Sequence, residues 1–154
     1  MTDTIVGGND APKPGRLVLL RHGQTAWSVS GQHTGRTDIP LTPTGEHQAI
    51  EAGVRLRESF PDGFAQGCVF ASPLRRARQT AALAGYGTHN VLPYIAEWDY
   101  GRAEGRTRGT VSQLLGRPWD LWRDGTESLP ATMDGERVET LPGGTQVTVR
   151  NGRG

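Results

Sequence analysis

The sequence predicts an α/β fold in which a mostly parallel sheet is flanked by helices, and three observations carry that expectation. Short, wholly apolar runs stand at residues 17–20 and 68–71, each too brief for a helix and each suited to a strand buried on both faces. Segments with apolar residues at helical spacing follow them. Strands that alternate with amphipathic helices make parallel sheets, because only a crossover brings the chain back in the same direction. A chain of 154 residues holds one domain rather than two.

Residues 1–15 mix Gly, Pro and polar side chains, and Pro12 and Pro14 block regular structure, so they read as a flexible leader. The domain proper spans 16–123. Leu17, Val18, Leu19 and Leu20 form the first strand, with Arg21, His22 and Gly23 at its carboxyl end, where open α/β sheets bind ligands. A helix is predicted over 43–59: Thr42 caps it, Pro43 takes the first helical position, and Ala49, Gly53, Leu56 and Phe60 recur on one face. Residues 68–71 give a second strand. Ser72 then caps a helix carrying Leu74, Ala77, Ala81 and Ala84. Residues 91–95 form a third strand interrupted by Pro93, and 110–115 open another helix. Residues 124–154 are rich in Gly, Thr, Asp and Glu and read as a divergent, poorly ordered tail or a weak hairpin.

Seventeen basic residues against sixteen acidic ones leave a net charge of +1, which argues against a global attraction to nucleic acid or membrane and requires any basic site to be local. Lys13 is the sole lysine, so the positive charge is almost entirely arginine; its planar fork suits phosphate, but a GC-rich coding bias is the simpler source of the excess. Cys68 is the sole cysteine; no internal disulfide can form, and a reducing, cytoplasmic setting is expected.

Histidine between Arg and Gly at a strand end is suited to phosphate chemistry. Its unprotonated ring can attack phosphorus, guanidinium groups neutralise the phosphoryl oxygens, and glycine admits close backbone approach. The surrounding residues sharpen this. LVLLRHGQT at 17–25 resembles the signature of the histidine phosphatases, the phosphoglycerate-mutase-like superfamily. The resemblance continues through Thr34, Gly35, Asp38, Pro40, Leu41, Thr42, Gly45, Gln48 and Ala49, through SPLRRARQTA at 72–81, and through IAEWDYG at 95–101 with Glu104 and Gly105. Within the superfamily the combination is most similar to small actinobacterial acid phosphatases.

That resemblance implies a metal-independent phosphomonoester hydrolase without cofactors, acting through a phosphohistidine. His22 is the implied nucleophile and Glu97 the acid and base. Arg21 and Arg76 hold the phosphate with help from Gly23, Ser28, Thr34 and Gly35. The implied partner is a small phosphate monoester, with neither nucleic acid nor membrane, and a homodimer stays open. A phosphoglycerate-mutase-type phosphotransferase and an inactive remnant or phosphoester-binding module are the competing readings. His33, His47 and His89 match no catalytic position and read as structural.

The sequence also departs from the family pattern. No histidine follows His89, whereas the family carries a second one late in the chain after an apolar strand. A C-terminal truncation or a shifted frame downstream of about Asp124 is therefore expected. Ser28 stands where relatives usually have Asn, and Thr34 where many have Gln.

Overall fold

The computed structural model describes residues 15–152, so most of the expected leader lies outside it. The first helix, α1 (Ala26–Ser30), was not legible in the sequence. A reciprocal cap makes it: the Thr25 hydroxyl accepts from the Ser28 amide at 3.1 Å while the Ser28 hydroxyl accepts from the Thr25 amide at 2.9 Å. Helix α2 (Pro43–Ser59) occupies the predicted span, capped by the Thr42 hydroxyl with Pro43 at its first turn. Strand β1 (Phe70–Ala71) leads into α3 (Arg75–Leu83), and β2 (Asn90–Val91) pairs in parallel with β1. This is the predicted strand-helix-strand unit, shortened to two residues per strand.

Ser72 does not cap α3 as the spacing suggested; its hydroxyl accepts from the Leu74 amide, and the first helical amide, that of Arg75, donates to Asp38 at 2.6 Å. A carboxylate from a distant loop satisfies the helix end. The third strand stops at Val91, and a 3-10 turn over Pro93–Ile95 follows, since proline cannot extend a ladder. Helix α4 (Arg108–Leu115) contains the predicted 110–115 helix, and α5 (Leu121–Asp124) is a single turn.

Residues 17–20 depart from expectation. They are not a buried strand: Leu17 and Leu19 are each 84% exposed, and among the described residues no strand pairs with them. An apolar run becomes a strand only where a neighbour supplies ladder partners, and β1 and β2 here pair with each other.

Of the two readings left open for residues 124–154, a poorly ordered tail or a weak hairpin, the structure has the hairpin. Strands β3 (Gly135–Thr140) and β4 (Gln146–Asn151) form an antiparallel hairpin, with Val147, Val149 and Asn151 buried alternately along β4. Val147, Val149 and Leu141 pack on Trp27 and Ile39, while the Trp27 indole N–H donates to Glu139 at 3.1 Å. A second cluster joins Ala103, Val111, Trp119, Leu129 and Met133. No helix among the described residues is long and apolar enough to cross a membrane.

Candidate active site

Arg21, His22, Gly23, Gln24, Ser28 and Gln48 line an open cleft of about 300 Å³ where the extended residues 17–20 end. The His22 ring is half-buried, and its Nδ1 lies 2.8 Å from the Gly23 carbonyl oxygen. A carbonyl can only accept, so Nδ1 carries the proton and Nε2 keeps its lone pair. Burial lowers the pKa of His22 below the ordinary 6.5; the Gly23 hydrogen bond opposes this, Arg76 and Arg21 lower it further, and Glu97 raises it. The neutral ring is therefore favoured, with the nucleophilic nitrogen available.

The structure gathers the predicted charged residues around this ring. Arg21 lines the cleft, whereas Arg76 and Glu97 do not line it and reach His22 through their charge. Glu97 is exposed, and its Oε1 accepts from the Trp98 amide at 2.9 Å. Arg76 is buried on α3, and burial lowers its pKa while Glu104, Glu97, Asp38 and Tyr100 oppose that shift. Its Nη1 donates to the Thr37 carbonyl, and its Nη2 to those of Thr34 and Gly35. Three of the five N–H groups in the fork thus hold a loop.

The neutral donors expected from the sequence are largely committed elsewhere. The Gly23 amide donates to the Thr80 hydroxyl at 3.1 Å, and that hydroxyl donates to the Arg76 carbonyl at 2.8 Å. The Gly35 amide donates to the Glu104 carboxylate. The Thr34 hydroxyl donates to the Gln32 carbonyl, and the Ser28 hydroxyl to the Thr25 carbonyl. Buried donors of this kind find protein acceptors wherever geometry allows. Thr34 and Gly35 in turn contact Arg76 through their carbonyls.

Four further residues belong to this region. Gln24 and Gln48 line the cleft, joined by a bond from the Gln24 amide to Gln48 Oε1 at 2.9 Å. Tyr100 lies among Glu97, Glu104, Arg76 and Arg21, and burial pushes its phenol above 10.0. Glu104 is fully buried. The signal for it was present in the Glu104, Gly105 pair, but nothing local in the sequence says that a carboxylate there will be buried. His33 meets Tyr100 at a tilt and Trp119 edge-on, and its Nδ1 lies 2.6 Å from the Arg106 carbonyl oxygen.

The site thus sets an imidazole in an open cleft with Arg21, and the charges of Arg76 and Glu97 act on it from outside that cleft. Comparison with known proteins gives the family. The model of the histidine phosphatase superfamily (branch 1) matches residues 17–143, and the chain belongs to that superfamily. An acid phosphatase of Mycobacterium tuberculosis is 46% identical over 110 residues, covering 71% of this chain and 52% of that protein. A 2,3-bisphosphoglycerate-dependent phosphoglycerate mutase of Bifidobacterium longum is 36% identical over 128 residues, covering 77% of this chain and 50% of the relative. The solved structure of a functionally characterised open reading frame from M. tuberculosis superposes with a TM-score of 0.58 at 42% identity, over 68% of this chain and 52% of that one. The chain spans about half the length of the relatives it matches.

Proposed function

We propose that this chain carries the phosphate site of a phosphomonoester hydrolase that works through a phosphohistidine on His22. The observation that carries the reading is the hydrogen bond from His22 Nδ1 to the Gly23 carbonyl within reach of the charges of Arg21, Arg76 and Glu97. In the first step His22 Nε2 attacks phosphorus, the bond from phosphorus to the ester oxygen breaks, and the proton of Glu97 passes to the leaving alkoxide. Arg21 and the remaining N–H groups of Arg76 balance charge on the phosphoryl oxygens. In the second step the Glu97 carboxylate takes a proton from water as that water attacks phosphorus. The nitrogen-phosphorus bond breaks with its electron pair returning to Nε2, and inorganic phosphate leaves.

Charge neutralisation and positioning carry most of the rate in phosphoryl transfer, so two guanidinium charges acting on a neutral imidazole support this chemistry. Hydrolysis of p-nitrophenyl phosphate by the folded chain, lost in His22→Ala, together with an acid-labile phosphoenzyme trapped from labelled substrate, is the expected result. Saturable phosphate binding without hydrolysis or phosphoenzyme would favour a phosphoester-binding module instead.

A further inference from the structure

The loop over residues 34–37 is gripped from both sides. Glu104, only 1% exposed, accepts the Gly35 amide on both carboxylate oxygens at 3.0 Å each and the Thr37 amide on Oε1 at 2.9 Å. Arg76, 2% exposed, takes carbonyls of the same loop: that of Thr37 at 3.1 Å, that of Gly35 at 3.0 Å and that of Thr34 at 3.2 Å. The loop thus bridges a buried anion and a buried cation, directly so through the peptide joining Thr34 and Gly35, whose N–H donates to Glu104 and whose C=O accepts from Arg76. The packing leaves no slack, since a Cβ on Gly35 would fall 2.0 Å from the Trp98 carbonyl oxygen and 2.9 Å from Glu104 Oε2. Glu104 is itself pinned, because Asn151 Nδ2 donates to its carbonyl at 2.7 Å and its amide bonds Gly101.

A buried guanidinium without a counter-charge would be strongly disfavoured, and one held by only one face of a loop could rotate away. We propose that Glu104 is a positioning residue of the phosphate site: by holding the Gly35 and Thr37 amides it fixes the loop whose carbonyls orient the Arg76 fork, and it supplies the buried counter-charge for this cation. The proposal rests on the reading of Arg76 as a phosphate ligand. Glutamine at 104 would keep the shape, lose the charge and turn an N–H group toward the Gly35 amide, whereas aspartate would keep the charge at a shorter reach.

The test compares Glu104→Gln, Glu104→Asp and the hairpin-core substitution Val149→Ala in the full chain. Two readouts are taken: titration with inorganic phosphate, and the guanidinium NMR signals of Arg76, which are resolved and slow to exchange when the fork is locked. In the folded fraction of Glu104→Gln we expect broadened Arg76 signals and phosphate affinity reduced on the order of tenfold. In the turnover assay kcat should fall about 100-fold with a smaller change in KM. Glu104→Asp should recover part of each loss and keeps the test open if the glutamine variant fails to fold. Val149→Ala, though destabilised, should bind phosphate like the parent.

Unchanged Arg76 signals in both Glu104 variants would overturn the proposal, as would losses that merely track stability across all three proteins. A parent chain that binds no phosphate yet shows a locked Arg76 released in Glu104→Gln would refute the phosphate-site reading while leaving the positioning role intact.

Discussion

Gly23 and Gly45 pack backbone against backbone: a Cβ on Gly23 would fall 2.2 Å from the Gly45 carbonyl oxygen, and one on Gly45 would fall 2.1 Å from that of Gln24. From the sequence, Gly23 would be needed so that a ligand could approach. In the structure it lets the first turn of α2 approach the segment bearing His22. Gly23→Ala should therefore destabilise the fold by about 1–3 kcal/mol, because backbone rather than a pliable side chain must move. Urea unfolding followed by circular dichroism measures this, and an unchanged midpoint would remove the packing argument.

His22 should titrate below its ordinary value. Its folded pKa is lowered from 6.5, chiefly by burial, so the reactive neutral ring persists to lower pH than in a free histidine. The unfolded chain takes up the proton first as pH falls. Stability contributed by the neutral ring is thus full above the unfolded value and declines as pH drops through 6.5 toward the folded value. Proton NMR of the His22 ring against pH checks it; a midpoint above 6.5 would contradict the geometry.

Arg76→Lys is a severe change despite the conserved charge. An ammonium cannot reproduce the planar fork that reaches the carbonyls of Thr34, Gly35 and Thr37. A loss of about 3 kcal/mol in stability is expected, together with loss of phosphate binding in the material that folds. Denaturant midpoints and phosphate titration read the two effects separately.

Leu19→Arg should be nearly silent in stability, within about 0.5 kcal/mol, since the side chain is 84% exposed. A loss of several kcal/mol would instead mean that residues 17–20 are buried in solution. Binding of a hydrophobic dye should fall in the same variant, because exposed apolar side chains cluster here.

Val149→Ala should lower stability by ~1.5–3 kcal/mol, the contribution of a fully buried valine. Slow amide exchange at Val147 and Val149 would accompany it in the parent chain. Rapid exchange at both positions would argue that the hairpin does not form.

How much of this was legible before any coordinates can be read from particular residues. Helix α2 follows from Thr42, Pro43 and an apolar face of its own, all local signals, and its bounds match. The residues of the site were nameable because their motifs are contiguous in sequence, and the superfamily assignment followed from them. The hairpin was legible only as one of two alternatives, since its strands are mostly polar and the partners that bury Val147 and Val149, Trp27 and Ile39, lie more than a hundred residues away.

By itself, then, the sequence determined which side chains could handle a phosphoester and which superfamily contains them, because chemistry-bearing residues stand in short runs whose order survives without a fold. Only tertiary structure decided where each hydrogen-bond donor is spent. Gly23, Ser28, Thr34 and Gly35 all have donors suited to phosphate, yet Thr80, Thr25, Gln32 and Glu104 take them. A buried donor must be satisfied by whatever acceptor the fold brings within about 3 Å, and for Gly23 and Gly35 that acceptor comes from a segment far along the chain.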